Sequence, residues 1–148
     1  NALLDAKQHK HPGLASRWTL ALNWYAEGSR EKDDAIALAK IATSLDVLSR
    51  AGTRKGITDL LENLLSIDSD VHVVTGRNPK TLKQFVKKMY DDGRSQILHG
   101  SYENRLEAYV DLRSQAEYFA RIALLESVVR LERYSGDDTG TAFRSMRR

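Results

Sequence analysis

The sequence predicts an all-α bundle of about five helices ending in a long C-terminal one, on three observations. Helix formers (Ala, Leu, Arg, Glu) dominate and the 148 residues include only two prolines. Apolar residues recur at helical spacing through most of the chain. Only Val71-His72-Val73-Val74 reads as a strand, and one such run cannot make a sheet, so it is expected to be an ordered loop.

Each element follows in order. Pro12 suits a first helical turn, and Trp18, Ala21, Leu22 and Tyr25 give the stretch Leu14 to Glu27 one apolar face, broken by Gly28-Ser29. From about Glu31 to Arg50, Leu38, Ile41, Ala42, Leu45 and Leu48 share a broad face, while Ile36 and Val47 lie opposite, as expected for a central helix. Gly52 and Gly56 punctuate a turn before a shorter helix, Ile57 to Leu65. Asn78-Pro79 reads as a cap and first turn, Leu82, Phe85, Val86 and Met89 as an apolar face, and Gly93 as the end of that helix. Asn104 to Tyr134 is one long helical pattern, about 45 Å at ~1.5 Å per residue, with an end free to project or pair with a partner. Residues 1–134 are thus read as one domain. The segment 135–148, opening with Ser135-Gly136-Asp137-Asp138, is read as a flexible basic tail.

Composition excludes several functions. Hydrophobic residues at 41% and charged ones at 29% suit a chain with a real core and a charged surface. No apolar run approaches the ~18 residues of a membrane span. With no cysteine, thiol nucleophiles, disulfides and thiolate zinc sites are absent together, and a cytoplasmic setting fits. A net charge of +3 is too mild for a protein that coats nucleic acid. Opening at Asn1 without an initiator Met, the chain is read as a piece of something longer.

Four histidines limit the remaining chemistry. His9 and His11 lack the acidic neighbours and regular backbone of a metal pair, and His72 among valines reads as a partly buried, satisfied histidine. No Gly-rich phosphate loop, nucleophile elbow or metal or cofactor motif is present. His99 differs, because it lies with Arg94 in the polar joint Tyr90 to Tyr102, bracketed by Gly93 and Gly100. An imidazole moves protons near neutral pH and a guanidinium holds phosphate oxygens, a pairing suited to phosphodiester chemistry. On a regular helix the two would stand ~140° apart, so their meeting requires the backbone to deviate at the glycines. The spacing equally allows Arg94 to pair with Asp91 or Asp92 while His99 caps the next helix.

The wider string carries more. Tyr90-Asp91-Asp92-Gly93-Arg94-Ser95-Gln96-Ile97-Leu98-His99-Gly100 resembles the R-x4-H signature of the HEPN superfamily, and most closely its ApeA-like branch, whose members read Tyr-Asp-x-x-Arg-Ser-x-Ile-x-His-Gly. Trp24-Tyr25, Ile41 to Leu48 and Gly56-Ile57-Thr58 resemble further blocks of that branch in the same order, so the likeness spans roughly residues 14 to 130. The resemblance implies an all-α, homodimeric, metal-independent endoribonuclease of antiphage defence or a toxin system, working without cofactor. It implies that Arg94 holds the scissile phosphate and His99 is general acid or base. Attack by the RNA's own 2′-hydroxyl would leave a 2′,3′-cyclic phosphate. Ser95 would be a supporting hydrogen-bond partner, and Asp46 matches the acidic position on an earlier helix that orients the pair. Position 101 is Ser, with Tyr102 one step on, so the tyrosine AMP modification of some HEPN toxins is not expected, and Tyr102 is a weaker site candidate. A sensor domain or an antitoxin is the partner the resemblance implies.

Positive charge concentrates beside this joint. Segment 77–99 holds Arg77, Lys80, Lys83, Lys87, Lys88 and Arg94 against Asp91 and Asp92. Lys80, Lys83 and Lys87 fall within about 60° on one helix face, a track suited to an RNA backbone. Two rival readings remain from the sequence: a catalytically silent HEPN module for dimerisation or nucleotide binding, and a helical bundle that docks a partner through its last helix.

Overall fold

The computed structural model describes residues 5–99 and 106–148, and side chains except those of 94–99 and 106–108. Five α-helices make up most of it: α1 (Pro12–Arg30), α2 (Asp34–Ser49), α3 (Arg54–Leu65), α4 (Leu82–His99) and α5 (Leu106–Arg133). A two-stranded antiparallel ribbon, β1 (His72–Val74) and β2 (Lys80–Thr81), lies between α3 and α4. The all-α expectation holds, with α2 at the centre, in contact with each of the other four helices.

Local chemistry explains the boundaries. Asp33 caps α2, its Oδ1 accepting from the N–H groups of Ala35 and Ile36 at 3.0 Å. Thr53 caps α3 by accepting from Gly56 N–H. Helix α4 starts at Leu82 rather than at Pro79, because Thr81 and Gln84 form a reciprocal capping box. The Gln84 N–H donates to Thr81 Oγ1 and the Thr81 N–H to Gln84 Oε1. Pro79 instead belongs to the turn joining the strands, where Gly76 takes φ +102°. The run 71–74 is therefore not a loop. The two-residue β2 that pairs with it is too short to show as a pattern, and His72 is exposed rather than partly buried.

Gly93 does not end α4, which continues through it to His99. A Cβ there would meet the Ala42 Cβ at 3.4 Å, an ordinary contact, where α4 lies on Leu38, Ala39 and Ala42 of α2. Gly93→Ala should therefore fit and recover helix propensity. We expect unfolding free energy to rise by up to about 1 kcal/mol, read by urea denaturation. A loss above that size would show that Ala42 cannot yield.

The segment 135–148 is not a trailing tail. Asp138 caps α1, its carboxylate accepting from the N–H groups of Gly13 and Leu14 at 2.7 and 2.8 Å. A 3₁₀ turn at Ala142–Arg144 puts Phe143 at 0% exposure, with Ala142 and Met146 also buried. The buried Arg130 donates to the carbonyls of Met146 and Leu64, and Asn63 to those of Phe143 and Met146, fastening the segment to α3 and α5. His11, also buried, shares a hydrogen bond of 3.0 Å with the Tyr134 carbonyl, a structural role at the junction of α1 and α5.

Arg113 of α5 joins three elements. It bonds Asp34 at 2.9 Å, Glu117 at 3.1 Å and the carbonyls of Gly28 and Ser29 at the end of α1. Burial works against its charge, but the two carboxylates prevail and hold its pKa above the usual guanidinium value. Asp138→Ala should cost about 1 kcal/mol through the lost cap of α1, measurable as a lower urea midpoint at unchanged m-value.

Candidate active site and basic clefts on helix 4

Arg94, Ser95 and His99 all fall on α4, and Tyr102 lies outside the described residues. The backbone deviation expected from the glycines is not seen at Gly93, and α4 is helical from Leu82 to His99. At ~100° per residue, positions 83, 87 and 94 share one row of α4, and positions 88, 95 and 99 share another ~140° away. One helix thus presents the arginine and histidine positions to different sides. Of the two aspartates that the sequence offered to Arg94, Asp91 pairs with Arg54 at 3.3 Å and Asp92 with Lys88 at 2.9 Å.

Asp46 lies on α2, in the same i, i+3, i+7 row as Ala39 and Ala42, the residues against which Gly93 packs. Its carboxylate Oδ1 is sealed from solvent and has no hydrogen-bond partner among the described residues. A carboxylate oxygen desolvated without a partner is costly, so a cation or hydrogen-bond donor beside it would be stabilising. The direction of α4 decides which. Tyr90 donates to the Gly52 carbonyl beyond the end of α2, and Gly93 lies at Leu38–Ala42, so the two helices are antiparallel. Beyond Gly93, α4 leads away from Asp46. By helix rise from the middle of Leu38–Ala42, position 94 is about 10 Å from Asp46 along the axis and position 99 about 18 Å. Within one chain Asp46 is thus placed nearer to position 94.

The basic residues do not form a single track. Lys80 lies in β2, not on α4, because the helix starts two residues later. The cations divide between two clefts on either side of α4. One, of about 680 Å³ between α3 and α4, is lined by Arg54 and Lys55 of α3 and Lys83 and Lys87 of α4, together with the carboxylates Asp59 and Glu62. The other, of about 410 Å³ between the ribbon and α5, takes Arg77, Lys80 and Lys88 together with Asp111. Arg54 and Lys55 were missed as candidates from sequence, because nothing in a linear pattern says that α3 lies beside α4.

Among the described residues no cluster of three or more His, Asp or Glu side chains is placed to hold a metal ion. None of their helices is long and apolar enough to cross a membrane. Comparison with protein families, curated proteins and solved structures gives no match.

Proposed function

We propose that this chain is a HEPN-type endoribonuclease in which Arg94 holds the scissile phosphate and His99 transfers the proton. The 2′-hydroxyl of the RNA attacks the adjacent phosphorus and the 5′-oxygen leaves. The products are a 2′,3′-cyclic phosphate and a 5′-hydroxyl, with no net consumption of water in that step. The observation that carries the reading is the string Tyr90 to Gly100, whose arginine and histidine fall on one helix of an all-α bundle between two cationic clefts. The oxygen of Asp46 left without a partner on the α4 side of α2 supports it, since an arginine is the natural group to complete that position.

The divergence of positions 94 and 99 around α4 favours a site completed by a second copy, as the resemblance implies. The outer side of α5 suits such pairing: Tyr118, Leu125 and Val129 are 52, 59 and 46% exposed at i, i+7 and i+11 spacing. Cleavage of a single-stranded RNA in excess EDTA tests the reading. The rate should stay within about twofold of the rate without chelator, whereas a general acid–base site that needs a metal-bound hydroxide would lose about 10²-fold or more. Abolition by EDTA would remove the Arg–His mechanism.

A further inference from the structure

We infer that the groove between α3 and α4 is the path along which a single RNA strand reaches the site, its phosphates held by Arg54, Lys55, Lys83 and Lys87. This rests on the ribonuclease reading for the destination, but the groove itself stands on its own geometry. Lys83 and Lys87 are exposed, one turn and about 6 Å apart along α4, and neither makes an ion pair among the described residues. Facing them, Arg54 and Lys55 are held by Asp91 and Asp59 in exposed pairs of 3.3 and 2.8 Å. Such pairs contribute little and exchange readily for phosphate. Glu62, the other carboxylate in the groove, is engaged by the Ser69 N–H at 2.7 Å. The first turn of α3, which supplies Arg54 and Lys55, carries no acidic residue.

The cations are spread along the two walls instead of converging on one point, which suits a run of phosphates better than a single anion. The direction also fits. The row Lys83–Lys87 continues along α4 to position 94, so a strand lying on those lysines is led to the arginine proposed to hold the scissile phosphate. The cleft on the other side is smaller, about 410 against 680 Å³, and offers three cations instead of four: Arg77, Lys80, which donates to the Asn78 carbonyl, and Lys88, which is paired with Asp92. The same groove therefore assigns Arg54 and Lys55, two residues outside the 77–99 segment, to RNA binding.

The test is the binding of a fluorescein-labelled oligouridylate by anisotropy across a salt series, in a His99→Ala background so that binding is read without cleavage. Lys83→Glu/Lys87→Glu should weaken binding at least tenfold at low salt. It should also flatten the slope of log K against log salt by about 1.4, since each single-strand phosphate contact contributes about 0.7. Arg54→Glu/Lys55→Glu should do the same, and Arg77→Glu/Lys80→Glu should change the slope by less than half as much. Positions 83 and 87 are exposed, and a glutamate at 83 lies in the first turn of α4, where the helix dipole favours it, so loss of fold does not account for the expected loss. An unchanged slope in the groove variants, equal loss in the Arg77/Lys80 variant, or no binding by the parent background at low salt overturns the inference. Binding through the groove by a chain that cleaves nothing would leave it standing and remove the ribonuclease reading instead.

Discussion

Phe143→Ala is expected to lower the unfolding free energy by about 3–5 kcal/mol, the largest stability effect of any single substitution considered. Phe143 is fully buried in the core formed by all five helices, although it lies in a segment whose composition suggests a tail. The substitution removes a whole aromatic ring where the neighbours are fixed by helix packing and cannot collapse into the space. It also loosens the turn whose carbonyls accept from Asn63 and Arg130, threatening one of the two carbonyl acceptors of a buried guanidinium. Urea denaturation followed by far-UV circular dichroism measures the change. A loss below 1 kcal/mol would show that the segment is only laid against the fold. A chain ended at Tyr134 should suffer more, because it also loses the Asp138 cap of α1 and the Met146 carbonyl.

His99→Ala should lower RNA cleavage by about 10²–10⁴-fold, the range of a lost general acid–base group. Arg94→Ala should fall as far or further, since the guanidinium stabilises charge that develops only as the phosphate is attacked. Arg94→Lys should recover little, because a point ammonium cannot take up two phosphate oxygens in the planar fork an arginine provides. Single-turnover cleavage with saturating protein separates this from binding. If His99→Ala cleaves at the parent rate, the histidine is no part of the chemistry, and the silent-module reading takes its place.

The core faces of the helices were legible because burial imposes a period that the sequence must repeat. Leu38, Ile41, Leu45 and Leu48 of α2 and Leu82, Phe85, Val86 and Met89 of α4 are buried as their spacing predicts. What failed to show were features set by few residues or by distant partners. The start of α4 depends on two side chains, Thr81 and Gln84, competing with the Asn78-Pro79 pair, which looks better in isolation. The ribbon depends on a two-residue strand. The C-terminal segment is polar except for the few residues it buries, and Asp138 caps a helix 125 positions away in sequence, which no local pattern encodes.

The site was legible in a different way. Arg94 and His99 stand out as a string of residue types, whereas their relation in space depends on whether the backbone bends at Gly93. It does not: α4 stays helical through Gly93, whose neighbours on α2 leave ordinary room for a Cβ. The division of the lysines between two clefts follows from where α3, the ribbon and α5 pack around α4, and is equally a tertiary fact.

The central claim is that the RNA's own 2′-hydroxyl is the nucleophile, and the chemistry of the cut ends tests it most directly. Mass spectrometry of the fragments released by the parent chain in excess EDTA should find 2′,3′-cyclic phosphates on the upstream pieces and 5′-hydroxyls on the downstream ones. Fragments carrying 3′-hydroxyls and 5′-phosphates, or no fragments that depend on His99, would contradict it.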